Sequence, residues 1–183
     1  HKKQQWERSE LSFGDVNIAD FVYMYKKMQF HNHQNLGFEQ LTKPLSKNYD
    51  TEATWLRLPE NVVRQYRNLL QPDRNGYYVR NNHFEGLMFA LKNAALMVTM
   101  TEGSDLGVAM STNALELSGS TSEEVSLYFY DRYVGGLGFA EKIYDLIPKV
   151  TEQAIRMVSG CRCKNGCAVC IGNDRLDRNV ILW

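Results

Sequence analysis

Hydrophobic and polar positions alternate in short stretches over the first third of the chain and change to helical spacing after Leu58. From Trp6 to about Leu58 the pattern is β-like. Val16, Ile18, Phe21, Tyr23 and Tyr25 mix alternation with β-branched and aromatic types, and Leu36-Gly37-Phe38 and Ala53-Thr54-Trp55-Leu56 predict further short strands. Gly14-Asp15 and Lys43-Pro44 carry turn chemistry and are predicted to separate them. Pro59-Glu60-Asn61 opens a helix running to Leu70, and Pro72-Asp73-Arg74-Asn75-Gly76 breaks the chain before the next element. The longest helix is predicted from near Tyr78 to about Met100. Its apolar positions, among them Phe84, Leu87, Met88, Leu91, Leu96 and Val98, cover so much of the circumference that it should lie buried at the centre.

Strands return after Gly103, at Leu106 to Met110 and Val125 to Tyr130, with the polar stretch Ser118 to Glu124 as their connector. Gly135-Gly136-Leu137-Gly138 then turns into a helix from about Phe139 to Val158, along which Ile143, Ile147, Val150 and Val158 form an apolar stripe. Pro148 either kinks that helix or splits it in two. The fold class is α+β: a β-rich N-terminal part over residues 1–58, then a helix/sheet part over 59–183. The second part has a long central buried helix and a small sheet flanked by helices, and the two form one compact unit.

Four cysteines close the chain: Cys161, Cys163, Cys167 and Cys170, in the order C-R-C-K-N-G-C-A-V-C, with no others elsewhere. Four thiolates at such spacing can close on one tetrahedral cation, and a single structural zinc is the default reading. Such a site has no open coordination position and does no chemistry by itself. A pair of disulfides is one rival, although cysteines two apart bridge poorly and no signal peptide precedes them. An iron–sulfur cluster, which also takes four thiolates, is another. Gly166, just before Cys167, suits a tight knuckle around a metal.

The 183 residues are 44% hydrophobic, enough for one domain with a sizeable core. Twenty-one basic and twenty-one acidic residues cancel, so any contact with nucleic acid must be local. The chain opens on His1, Lys2 and Lys3 rather than Met, which reads as a piece of a longer protein.

Other candidate sites are weaker. The turn with Gly135, Gly136 and Gly138 could cradle a phosphate on its free N–H groups, but it lacks the Lys and Ser/Thr of a P-loop. Asp131, at the end of the preceding strand, either caps that turn or faces a groove. His83 and Glu85 lie two apart on a helix and share no face. His31 and His33 would point the same way if extended and read as a surface pair. No nucleophile, acid/base pair or self-contained active site is visible, so the chain is not expected to be an enzyme by itself.

The run Y-F-Y-D-R-Y-V-G-G-L-G-F-A-E from Tyr128 to Glu141, a helix, and the terminal C-x-C-x-x-G-C-x-x-C resemble the C-terminal zinc-binding domain of the MrfA-type bacterial DEAD/DEAH-box helicases of superfamily 2. H-F-E-G-L at His83, S-D-L-G at Ser104 and T-E-A-T-W-L at Thr51 extend the resemblance over most of the chain. Ala168-Val169 departs from the Pro-Ser usual between the last two cysteines. The G-K-[ST] and D-E-x-[DH] motifs of a helicase core do not occur.

The resemblance implies a zinc-binding accessory domain of a cytoplasmic, ATP-dependent DNA helicase, acting in DNA repair or in defence against foreign DNA. The ATP-binding motor would lie in cis in a missing part or in trans, DNA would be met through the parent protein, and no membrane would be involved. Arg162, Lys164, Arg175 and Arg178, near the knuckle, could form a local strand-guiding patch with Arg156 and Trp183. The alternative is a protein–protein interaction module without direct DNA contact.

Overall fold

A computed structural model describes residues 1–68, 82–117, 120–163, 167–172 and 181–182. The chain order is β1 (Lys2–Trp6), β2 (Ser9–Met28), β3 (Asn35–Leu58), α1 (Glu60–Asn68), α2 (Asn82–Thr99), β4 (Leu106–Leu117), β5 (Ser120–Asp131), α3 (Phe139–Asp145) and α4 (Ile147–Ser159). The strands form one antiparallel five-stranded sheet in the order β1-β2-β3-β5-β4, so residues 1–58 and the later strands share it.

Registers line up apolar residues in rows across the sheet. Leu11 pairs with Leu56, Leu56 with Leu127, and Leu127 with Met110; the next row runs Phe13, Thr54, Phe129, Val108. This inner face packs with Phe84 and Leu91 of α2, Ile143 of α3 and Ile147 and Val150 of α4 into the main core. Thr54, the one hydroxyl in these rows, is satisfied by donating to the Ala140 carbonyl at 2.6 Å. The outer face is polar. There Arg57 reaches Glu124 at 2.5 Å and Glu10 at 3.8 Å, and Trp55 stacks on Tyr128 with ring centroids 5.8 Å apart.

Strands β2 and β3 are far longer than the sequence predicts. Gly14-Asp15 makes no turn and lies inside β2, where a Cβ on Gly14 would stand 2.2 Å from Nδ1 of His1. Gly14 leaves room for the His1 ring beside the strand. Lys43-Pro44 is not a turn between strands either. The pairing steps from Val22↔Leu45 to Met24↔Gln40, so residues 41–44 bulge out of β3, a position that tolerates proline because no ladder bond is required. The reversal falls at residues 29–34, where Gln29 N–H donates to the Gln34 carbonyl at 2.9 Å and His33 takes a left-handed φ of 53°. His31 and His33 therefore sit in a turn and are not an extended pair.

Beyond Phe13 and Ala53, where pairing with β1 and β5 stops, the β2–β3 hairpin continues as a two-stranded ribbon. Its outer part, from Ala19 and Asn48 onward, reaches roughly 30 Å at the usual rise per strand residue. Phe21, Val22, Tyr23, Met24, Leu36, Phe38 and Leu45 are all exposed along it, and Phe30 at the tip is 89% exposed.

The central helix is found as predicted, with Phe84, Leu91, Ala94 and Ala95 buried. Its expected first turn, 78–81, lies outside the described residues, as do Leu70 and the Pro72–Gly76 break. Residues 120–124 of the predicted connector belong to β5 and pair with β4, since a polar run can hold a strand ladder as well as a loop, and 118–119 lie outside the described residues. Pro148 accompanies a split: α3 ends at Asp145 with Leu146 as its cap, and the proline occupies the first turn of α4, where its missing N–H has no helical partner to lose. No described helix is long and apolar enough to cross a membrane.

Candidate metal centre

Helix α4 delivers the first thiol. Its last turn closes on Gly160, whose N–H donates to the Arg156 carbonyl, and Cys161 N–H still reaches the Val158 carbonyl at 3.4 Å. Cys161 thus leaves the helix in a fixed direction. The Sγ atoms of Cys161, Cys163 and Cys167 lie within 4.8 Å of one another. Cys170 is buried next to this trio, in a cluster against which Cys161 and Cys167 pack, and Ile171 N–H donates to the Cys167 carbonyl at 3.0 Å to close the turn that brings it there.

The four thiols are electrostatically unequal. The backbone N–H groups of Cys170 and Val169 point at Cys167 and pull it down to about 6. Cys163 is pushed up to about 11 by the thiols of Cys161 and Cys167, and Cys170 to about 12, first by burial and then by the same neighbours. Without a cation, one thiolate is held by backbone donors and further negative charge is opposed. A divalent cation at their centre would reverse that opposition.

The donor set fits zinc. Four sulfurs each ~2.3 Å from one zinc stand ~3.8 Å apart, a separation that the 4.8 Å limit on Cys161, Cys163 and Cys167 admits, and an all-sulfur set selects soft or borderline metals. The thiols are separate, which sets aside the disulfide reading, and their closeness suits a single ion better than a cluster with several irons.

The knuckle is seated on the core. Ile171 is buried with Ala90 of α2 and Val158 of α4, and Cys170 lies in the same cluster. Gly172, at a φ of 74°, lies so close to Phe89 that a Cβ would come within 2.9 Å of the ring. Asn93 donates to the Val169 carbonyl at 3.5 Å.

Asp131 lies apart from the knuckle and is fully buried. Its carboxylate accepts from the backbone N–H groups of Leu137 at 2.5 Å, Phe139 at 3.2 Å and Ala140 at 2.8 Å. Gly138, the N-cap residue of α3, has no side chain to offer, so the distant aspartate does the capping. Gly135, Gly136 and Gly138 take left-handed φ values of 77°, 77° and 81° to wrap the turn around it. With Gly135 N–H donating to the Asp50 carbonyl and Gly136 N–H to that of Tyr133, five donors of the suggested phosphate cradle are bonded internally. Of the predicted basic patch, Arg162 is exposed beside the ligands and Arg156 pairs with Glu152 at 2.5 Å; Lys164, Arg175, Arg178, Gly166 and Trp183 lie outside the described residues.

Residues 87–171 match the family model described as the MrfA Zn-binding domain. Over 173 residues, 94% of the chain, there is 23% identity to a Bacillus subtilis (strain 168) protein described as the uncharacterized ATP-dependent helicase YprA. The fold is shared with the crystal structure of the DUF1998 helicase MrfA bound to DNA, at a TM-score of 0.62 and 20% identity over 99% of the chain. A second structure of that helicase, bound to DNA and AMPPNP, gives a TM-score of 0.51 at 19% identity over 98% of the chain. The chain spans 21% of the YprA length and 22% of each of these structures.

Proposed function

Because residues 87–171 match the family model of the MrfA Zn-binding domain, we propose that the chain is the zinc-closed accessory domain of a superfamily 2 DNA helicase. The parent would be cytoplasmic and act in DNA repair or in defence against foreign DNA. The observation that carries the reading is the convergence of Cys161, Cys163, Cys167 and Cys170 at the end of α4, inside the matched segment and against α2. One structural zinc held by these four thiolates ties the knuckle to both helices and fixes the surface between them. The ATPase motor belongs to the remainder of the parent or to a partner chain. This domain's part is to present a rigid surface to DNA beside that motor.

The experiment has two readouts on the purified chain: zinc per chain by elemental analysis, and binding of a labelled single-stranded oligonucleotide by fluorescence anisotropy over a salt series. One zinc per chain, lost in Cys163→Ser, with binding that weakens as salt rises, is the expected result. A chain without zinc sinks the metal reading. A zinc-loaded chain that ignores DNA favours the second reading, a docking module without DNA contact. The exposed apolar residues of the ribbon support that alternative, because such patches mark protein interfaces.

A further inference from the structure

The tip of the β2–β3 ribbon differs in chemistry from its flanks. From Lys26 to Phe38 there is no Asp or Glu, although the chain carries 21 acidic residues. Six of the seven residues from Gln29 to Asn35 are Gln, Asn or His, and the seventh is Phe30. All seven are exposed, Phe30 to 89%. Lower on the ribbon, Phe21 and Tyr23 stack on one another with ring centroids 6.1 Å apart. Among the described residues Phe30 has no such partner. Its ring meets His31 edge-on, at 82°, which leaves it open to a flat group.

The tip is pinned by its own hydrogen bonds. His33 N–H donates to the Gln29 carbonyl, and the side-chain oxygens of Asn32 and Asn35 accept from Gln34 N–H and Gly37 N–H, each at 3.0 Å. Behind it, Lys27 and Tyr25 both engage Glu39, the first acid met along β3. Lys26 stands opposite Phe38 and has no carboxylate partner among the described residues. An aromatic anchor for a protein pocket sits among apolar neighbours, as the rings on the ribbon's flanks do. Around Phe30 the neighbours are amides and imidazoles, which hydrogen-bond to base edges, with lysines behind them to meet phosphates. A ring in that setting suits the face of a base.

We propose that the ribbon tip is a base-stacking finger for single-stranded nucleic acid, in which Phe30 stacks on one unpaired base and Lys26 meets a neighbouring phosphate. This rests on the DNA-facing reading above and gives it an address at the end of the ribbon, away from the arginines of the knuckle. The contact tolerates any sequence, because every base has a face to stack. Since the turn is already ordered, little freedom is lost on binding.

The test is anisotropy of a labelled single-stranded oligonucleotide with the zinc-loaded chain, Phe30→Ala, Phe30→Trp, Lys26→Ala and, as a remote control at an exposed position of α4, Lys149→Ala. A second oligonucleotide carrying the fluorescent base aminopurine reports stacking through quenching. Phe30 and Lys26 make no core contact, so all variants should melt with the parent. Expected for Phe30→Ala is a roughly tenfold weaker affinity with quenching lost and the salt slope unchanged, and for Phe30→Trp parent-like affinity and quenching. Lys26→Ala should bind more weakly with a salt slope shallower by ~0.7, the value for one phosphate of a single strand. Lys149→Ala should match the parent. Parent-like binding by Phe30→Ala overturns the inference, leaves the DNA reading intact and returns the tip to the docking alternative. A loss in Phe30→Ala that Phe30→Trp fails to restore overturns the stacking role. A parent chain that binds no oligonucleotide overturns both readings.

Discussion

Replacing Asp131 probes how the glycine turn is held. In Asp131→Ala three backbone donors lose their acceptor. Ala140 N–H is buried and has no other route to water, while those of Leu137 and Phe139 are part-buried. Leaving a buried donor unsatisfied costs ~1–3 kcal/mol, and the two hydratable ones add ~0.5–1 kcal/mol each, for a total of about 2–5 kcal/mol. Against a domain stability of ~5–15 kcal/mol this is a large fraction. At ~2–4 °C per kcal/mol for a chain of this size, the melting temperature should fall by about 4–20 °C. Asp131→Asn keeps the shape but turns an NH2 donor toward backbone donors, so it should recover only part of the loss. Urea unfolding of zinc-loaded protein measures both. If both variants unfold within about 0.5 kcal/mol of the parent, the carboxylate is not holding the turn and the account of α3 capping fails.

Three further outcomes follow from particular residues. Met100 is 90% exposed and takes a left-handed φ of 55° after the last turn of α2, so Met100→Gly should stabilise the chain by ~0.5–1 kcal/mol, read by urea titration. Glu52 is raised first by burial and then by Asp131, Glu141 and Asp15, so its charged form opposes folding. That penalty is absent below the ordinary glutamate range and present above the raised value. Glu52→Gln should therefore raise the melting temperature at neutral pH and lose the advantage at acid pH, and the reverse order of melts would contradict the sign. Joining Val22 to Leu45 through a short Asn-Gly turn removes the bulged outer ribbon, which makes no core contact. Zinc content should remain at one per chain and the melt nearly unchanged, and a collapse of either would show that the ribbon supports the core.

The elements best read from sequence are those whose signal is local. The apolar circumference of α2, the glycine run before α3 and the cysteine spacing each depend on neighbours within a few residues. Asp131 could be singled out by its place before the glycines, although its reach to three N–H groups needed the turn to be seen closed. The long β2 and β3 strands were not legible. Gly14 and Pro44 signal turns locally, but His1 packing in one case and a bulge in the other override the signal, and beyond Ala19 no buried face imposes a clear period. Lys92 reads as an ordinary interruption of an apolar helix. Only the sheet and the knuckle reveal that it borders a groove, which no spacing rule encodes.

The central claim, that Cys161, Cys163, Cys167 and Cys170 hold a zinc that staples the knuckle to α2 and α4, is tested most directly by thermal unfolding of the zinc-loaded chain against the same chain fully stripped by chelator. Structural zinc contributes ~10 kcal/mol or more to folding of its own module, so the stripped chain should melt far lower, or lose its C-terminal transition altogether, and recover on adding back one equivalent of zinc. Superimposable melts for the loaded and stripped chains would contradict it.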